Sequence, residues 1–102
     1  MKTDFSPTAI ADLEDIALYI ARDNPRAAEA WVDKLVDRAE KAAFQPRGGR
    51  VVPEVDDPDI REVFLRTYRI IYRIEPKRIL VLTIIEGHQR LRALPGATKR
   101  GR

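Results

Sequence analysis

The side chains best suited to chemistry in this sequence are arginines in its second half. Strand-like alternation and short spacing place several of them near one concave surface together with His88, namely Arg66, Arg69, Arg73, Arg90 and Arg92. Guanidinium groups stay charged at every relevant pH and hold phosphate or carboxylate oxygens through paired hydrogen bonds. An adjacent aromatic such as Phe64 would stack on a nucleic-acid base. The set predicts an anionic partner, either a nucleic acid or an acidic protein segment.

These side chains also have a structural interpretation. Arg69 and Arg73 are placed to form ion pairs with Glu62 or Glu75 on a solvated sheet. His88, the single histidine, is suited to hydrogen bonding within a loop. Both interpretations stay open at this point, because burial decides between them.

The composition excludes several classes of site. The chain has no cysteine, so a disulfide framework and a thiolate metal site are both excluded. One histidine is too few for a protein-only zinc site, and we expect neither a metal nor a cofactor. No Ser-His-Asp set, phosphate-cradling glycine loop or catalytic carboxylate pair is apparent.

Length and hydropathy indicate one soluble domain. The 102 residues are enough for a single modest core, which we assign to residues 1–95, with a basic tail at 96–102. The longest apolar run, at 79–85, is too short to span a bilayer. The N-terminus has no apolar core of the kind found in signal peptides. We therefore expect a cytoplasmic protein that does not enter a membrane.

The charge distribution is uneven along the chain. Residues 1–45 carry six Lys and Arg against nine Asp and Glu, whereas residues 46–102 carry thirteen against seven. A basic half on a nearly neutral protein again points to an anionic partner. An ordinary basic tail on a well-solvated surface would produce the same asymmetry.

The first half of the sequence predicts two helices. Ser6-Pro7 and Asn24-Pro25 are both helix starts, because a serine or asparagine cap satisfies free N–H groups and proline suits the first turn. The second helix is expected to end near Phe44. Its predicted inner face comprises Ala28, Trp31, Val32, Leu35, Ala39 and Ala42. The short connection between the helices predicts an antiparallel hairpin.

The second half predicts strands at 61–66, 68–74 and 79–85, joined by short turns. A further short strand is possible at 1–5. The resulting fold class is α+β, with a helical hairpin packed on one face of a small antiparallel sheet. Alternation turns Ile70 and Ile74 toward the helices. It turns Glu62, Arg69 and Arg73 toward the opposite face, which we expect to be open.

The order of these features resembles the RelE/ParE toxin superfamily over nearly the whole chain. The pattern A-x-x-D-L-x-x-I-x-x-Y-I at 9–20 begins it, Tyr-Arg-Ile-Ile-Tyr-Arg at 68–73 is its strongest part, and Gly-His-x-Arg at 87–90 closes it. The resemblance implies a cytoplasmic, growth-inhibiting toxin of a type II toxin–antitoxin module, a class also known as plasmid stabilisation proteins. It further implies a cognate antitoxin as partner and a toxin–antitoxin hetero-oligomer.

The superfamily has two mechanistic branches. RelE-like members enter the ribosome and cut mRNA. That branch implies that Arg69 and Arg90 contact phosphate and that His88 or Glu62 transfers a proton. ParE-like members bind DNA gyrase, and the implied target-binding residues are then Arg61, Arg66, Arg73 and Arg92.

The sequence departs from RelE at positions that matter for cleavage. Glu62 and Phe64 stand where RelE has a pair of lysines, and the C-terminal tyrosine of RelE has no clear counterpart. These departures favour the ParE-like interpretation. A RelE-like nuclease is the alternative, and a non-toxic member that only binds an antitoxin is the third.

Overall fold

The computed structural model describes residues 1–87 and Leu91. Its elements are β1 (Lys2–Phe5), α1 (Pro7–Ala21), α2 (Pro25–Ala42), a 3₁₀ turn (Pro46–Gly48), β2 (Arg50–Val51), β3 (Ile60–Leu65), β4 (Tyr68–Ile74) and β5 (Arg78–Glu86). Within the described part of the chain, no helix combines the length and the apolar character needed to cross a membrane. The candidate residues His88, Arg90 and Arg92, and the predicted tail at 96–102, lie outside the described residues.

Both helices begin where the capping residues predict. The Ser6 hydroxyl accepts a hydrogen bond from the Ala9 amide, and the Asn24 side chain accepts one from the Ala27 amide. Each cap satisfies one of the free N–H groups at its helix start. Only three residues separate α1 from α2, so the two helices form the tight antiparallel hairpin that was expected.

The five strands form one sheet in the order β1-β5-β4-β3-β2. The α+β prediction is confirmed, including a strand at the N-terminus. The sheet is mixed rather than wholly antiparallel, because β1 lies parallel to β5, with Lys2 opposite Arg78 and Phe5 opposite Val81. A register shift between Ile71 and Tyr72 marks an irregularity in the pairing of β4 with β5.

The main core lies between the helical hairpin and one face of the sheet. Leu35 and Ala39 of α2 and Ala9 of α1 are fully buried against Ile70 and Tyr72 of β4. Alternation along β4 therefore has the predicted phase. Trp31 is only half-buried, at the margin of this core, and not within it as its place on the inner face of α2 suggested.

The opposite face of the sheet is not open, which corrects the expectation from alternation alone. The segment 52–59 folds across it and buries Val52 against Ile60 and Ile71, with Val55 packed alongside. The turn that makes this possible includes Asp56 with a left-handed backbone (φ 55°), and the Val55 and Asp56 amides both donate to the Val52 carbonyl. The segment covers part of the surface on which the sheet arginines were expected to meet a partner.

Candidate functional site

A chain of ion pairs with a buried centre lies on this second face of the sheet. The Glu62 carboxylate is completely buried and accepts hydrogen bonds from two guanidinium groups. Arg69 Nε lies 2.7 Å from Glu62 Oε1, and Arg50 Nε lies 2.8 Å from Glu62 Oε2. The other two nitrogens of Arg69 bind both oxygens of Glu54, at 2.8 and 3.0 Å. Four charges thus alternate along one hydrogen-bonded path.

The register of the strands explains why these groups meet. Glu62 of β3 stands opposite Arg50 of β2, and Arg69 of β4 stands two pairs further along β3, opposite Phe64 and on the same face of the sheet. Glu54 reaches Arg69 from the segment that covers this face. Charge-assisted, two-point contacts of this kind are the strongest hydrogen bonds available to side chains.

The network changes the proton affinities of its members. The paired hydrogen bonds from Arg69 lower the pKa of Glu54. The same contact with Glu54, with a further contribution from Glu62, raises the pKa of Arg69. Arg69 is therefore a permanent cation whose donors are directed at two carboxylates.

We expect the contribution of Glu54 to stability to disappear in acid. Because folding lowers its pKa below the ordinary value of 4.5, its stabilising effect is present above that pH and is lost as the pH falls further. In Glu54→Gln the free energy of unfolding should depend less steeply on pH between about 5 and 3 than in the wild type. Part of the pH dependence remains in this variant, because arginines also lower the pKa values of Asp4 and Glu75. Urea titrations at several pH values measure the slopes, and equal slopes would contradict the assignment.

Two further arginines of the sheet also bind groups of the protein itself. Arg61 donates to the carbonyls of Pro58, Arg47 and Gly49 at 2.8 to 3.1 Å. Arg73 binds the Glu75 carboxylate through two nitrogens, at 2.9 and 2.7 Å. The structure therefore agrees with the interpretation in which Arg69 and Arg73 form ion pairs.

Arg66 differs from these three because it lies at the tip of the two-residue β3–β4 turn, exposed to solvent. Its guanidinium stacks 5.8 Å from the centre of the Trp31 ring, and Lys34 Nζ lies 5.3 Å from the same ring. Trp31 also makes an edge-on contact with Tyr68, at 6.1 Å between ring centres. We call Trp31, Lys34, Arg38, Arg66 and Tyr68 the Trp31 patch.

The backbone of Arg66 is left-handed, with a φ of 54°. A side chain in this conformation costs about 1–2 kcal/mol, because Cβ approaches the following carbonyl. We expect Arg66→Gly to be more stable than Arg66→Ala by about 1 kcal/mol, since both lose the guanidinium and only glycine relieves the strain.

Thr67 provides the matched control for that pair, because its φ is not positive. At this neighbouring position the order should reverse, with Thr67→Ala more stable than Thr67→Gly. Chemical denaturation of the four variants measures both differences. The same order at the two positions would refute the strain at Arg66.

A pocket of about 430 Å³ lies on the other side of Tyr68, between α1 and the end of β5. Its lining comprises Asp12, Asp15, Ile16, Tyr19, Tyr68, Ile84, Ile85 and Glu86. Asp12 accepts hydrogen bonds from the Thr83 hydroxyl and the Ile84 amide. Burial, then the nearby Glu86, raises the pKa of Tyr68. The lining holds three carboxylates and no basic side chain, so we call it the acidic pocket.

Within residues 1–87 and Leu91, no group of acidic or histidine side chains is arranged to hold a metal ion. The geometry of the described site is therefore that of charged and aromatic surfaces around a buried ion-pair network. Sequence reasoning missed Arg50 and Glu54, which no local pattern links to Arg69. It also missed the Trp31 patch, although the spacing of Trp31, Lys34 and Arg38 along one helix was available as a signal.

A family model described as the ParE toxin of the type II toxin–antitoxin system parDE matches residues 4–91. The chain belongs to this family. The match spans both helices, the strands β2 to β5, the end of β1 and every described member of the ion-pair network. The predicted resemblance to RelE/ParE toxins is therefore confirmed, and the ParE family is a type II toxin family.

Two solved structures share the fold of this ParE-family chain. One is a chain of the chromosomal ParDE toxin–antitoxin system from P. aeruginosa, with 24% identity, a TM-score of 0.66, and coverage of 84% of this chain and 95% of that one. The other is a chain of the toxin–antitoxin complex RelBE2 from Mycobacterium tuberculosis, with 22% identity, a TM-score of 0.57, and coverage of 83% and 95%. No curated protein sequence matches this ParE-family chain significantly.

Proposed function

We propose that this chain is the toxin of a type II module, that a cognate antitoxin neutralises it, and that it inhibits DNA gyrase without cutting RNA. One observation carries the choice of mechanism. Arg69, which the RelE-like branch would need at the scissile phosphate, directs its three nitrogens at Glu62 and Glu54.

The same geometry argues against Glu62 as a general base. A base must reach the proton that it removes, either directly or through one water molecule. The Glu62 side chain is completely buried, and its oxygens accept hydrogen bonds from Arg50 and Arg69. These contacts argue against a catalytic role in RNA cleavage for both described candidates, Arg69 and Glu62.

Family membership supports the same choice, because the matching model is that of ParE. The two structural neighbours have titles that name a ParDE system and a RelBE2 complex, so the fold alone does not separate the mechanisms. Both titles describe toxin–antitoxin pairs, which supports an antitoxin partner for this chain. A gyrase inhibitor acts where the chromosome is, and we accordingly place the toxin in the cytoplasm.

The test combines two assays on the wild-type protein. Purified toxin should inhibit supercoiling by purified gyrase, and pre-mixing with the antitoxin encoded beside it should restore supercoiling. Inducible expression should arrest growth while primer extension finds intact mRNA.

Codon-positioned mRNA cuts that disappear in Arg90→Ala would overturn the proposal in favour of a ribosome-dependent nuclease. A folded protein that causes no arrest and no inhibition would leave only the non-toxic, antitoxin-binding alternative. The double variant Arg69→Ala with Arg90→Ala is less informative, because the loss of Arg69 also leaves Glu62 buried with only one cationic partner.

A further inference from the structure

We propose that the Trp31 patch and the acidic pocket together form one docking site for a segment of the antitoxin that carries acidic residues for the patch and a lysine or arginine for the pocket. This inference rests on the proposed antitoxin partner and extends it to a surface and to the chemistry of the bound segment.

Among the described residues, the cations of the patch have no acidic partner. Lys34, Arg38 and Arg66 form no ion pair with any carboxylate in the described part of the chain. Arg38 only donates to the Phe64 carbonyl, at 3.3 Å. Most other arginines on the sheet are engaged by Glu54, Glu62 or Glu75. The patch therefore presents positive charge that residues 1–87 and Leu91 leave without an ion-pair partner.

The composition of the patch also favours a protein interface. Tryptophan, tyrosine and arginine are the residues that most often dominate the binding energy of protein interfaces. Here Trp31 is held edge-on by Tyr68 and stacked by two cations, so its ring is fixed before a partner arrives. Fixing an anchor in advance reduces the entropy lost on binding.

The strained backbone of Arg66 also favours a binding role for its side chain. Glycine or asparagine is the ordinary residue for a left-handed position in a two-residue hairpin turn. The chain instead places an arginine there, and the turn directs its guanidinium over Trp31. Strain of this kind is found where a side chain is needed for something other than stability.

The acidic pocket supplies the complementary half of the site. Tyr68 belongs to both surfaces, so a bound segment of a few residues reaches from one to the other. The pocket is lined by three carboxylates, two phenol rings and isoleucine side chains. This lining matches the long apolar stem and the charged head of lysine or arginine.

The pairing of opposite charges favours a protein segment over a nucleic acid. A duplex carries a negative charge at every phosphate, and a strand lying over the patch would pass the carboxylates of Asp12, Asp15 and Glu86. A peptide, in contrast, can place acidic and basic side chains a few residues apart. Like charges brought together at an interface are unfavourable and serve to exclude wrong partners.

The experiment uses the fact that Trp31 is the chain's single tryptophan. Incorporating 5-fluorotryptophan into the toxin alone places one ¹⁹F probe in the patch. Adding the unlabelled antitoxin encoded beside the toxin should shift this resonance. Calorimetry should show binding weakened about tenfold or more in Arg66→Gly. Lys77→Ala, in the turn at the opposite end of β4, is the charge-matched control and should bind as the wild type does.

A charge reversal in the pocket separates the two classes of partner. The Asp15 side chain is exposed and makes no hydrogen bond with the described residues, so Asp15→Lys should leave the fold intact. We expect Asp15→Lys to weaken antitoxin binding, whereas Glu14→Lys, the same change one residue away and outside the pocket, should have little effect. If a 20-base-pair duplex shifts the ¹⁹F resonance and binds more tightly to Asp15→Lys, the site is one for nucleic acid and the inference is overturned.

The outcome is independent of the cellular target. An antitoxin that binds tightly without shifting the ¹⁹F resonance, and with equal affinity for Arg66→Gly, would refute this surface and leave the proposed function standing. Failure of the wild type to inhibit gyrase would refute the proposed target and leave the docking result unaffected. An antitoxin that does not bind the folded toxin at all would refute both the docking site and the proposed neutralisation.

Discussion

Replacing Glu62 by alanine should lower the free energy of unfolding by about 3–5 kcal/mol, the usual cost of removing one partner from a buried ion pair. Arg69 would remain buried, with only 8% of its side chain exposed, and would keep Glu54 alone. Arg50 would lose its carboxylate but is hydrated, because 59% of its side chain is exposed. The cost therefore arises mainly from the uncompensated charge of Arg69.

For a domain of this size, such a loss is a large fraction of the total stability. Urea or thermal denaturation measures it, and Glu29→Ala, an exposed glutamate on α2, is the control that should change stability by less than about 0.5 kcal/mol. The double variant Glu62→Met with Arg69→Met should recover most of the loss, because apolar residues of similar volume replace a buried pair at little cost. A double variant no more stable than Glu62→Ala would mean that the network does not act as a charge pair.

Gly49→Ala should destabilise the fold by roughly 2–4 kcal/mol, from overpacking and the loss of one buried hydrogen bond. The backbone of Gly49 is extended (φ −72°, ψ 157°) and would accept alanine without strain. The difficulty is space, since an added Cβ would overlap the Tyr72 hydroxyl and lie 2.9 Å from the Glu62 carbonyl oxygen. The Tyr72 hydroxyl is fixed by its own hydrogen bond to the Pro46 carbonyl, at 2.5 Å.

The adjacent glycine is the control for that prediction. A Cβ on Gly48 would meet only the Gln45 side chain, at 3.5 Å, an ordinary contact distance. Gly48→Ala should therefore be neutral or slightly stabilising. Adding Tyr72→Phe to Gly49→Ala should restore part of the lost stability by removing the clashing oxygen. Equal effects of alanine at positions 48 and 49 would show that the close approach to Tyr72 does not limit the fold.

Local signals were sufficient to predict most of the elements. Ser6-Pro7 and Asn24-Pro25 determine helix starts within a few residues, because capping and proline geometry depend only on neighbours in the chain. Alternation likewise fixed which side of β4 meets the helices. The parallel pairing of β1 with β5 was not accessible in this way, since it joins residues far apart in sequence.

The candidate site was harder to predict, for a physical reason. Alternation assigns Arg69 to one face of the sheet, and it does so correctly. What covers that face depends on the segment 52–59, whose path is set by a left-handed Asp56, by the buried Val52 and by the partly buried Val55. No periodic pattern in the sequence encodes that path. The arginine surface that was expected to be open is therefore a covered ion-pair network in the structure. The Trp31 patch likewise depends on a turn conformation that only the structure shows.

The parallel pairing of β1 with β5 also has a consequence for the order of events during translation. Ser6, which follows β1, donates its hydroxyl hydrogen bond to a residue of β5 that is synthesised 76 positions later. Chains are made from the N-terminus, so β1 and the helical hairpin emerge well before the strand that joins them to the sheet. Contacts of such long sequence separation form late and slowly. The acidic pocket, whose lining includes Ile84, Ile85 and Glu86 of β5, can therefore form only after β5 has left the ribosome.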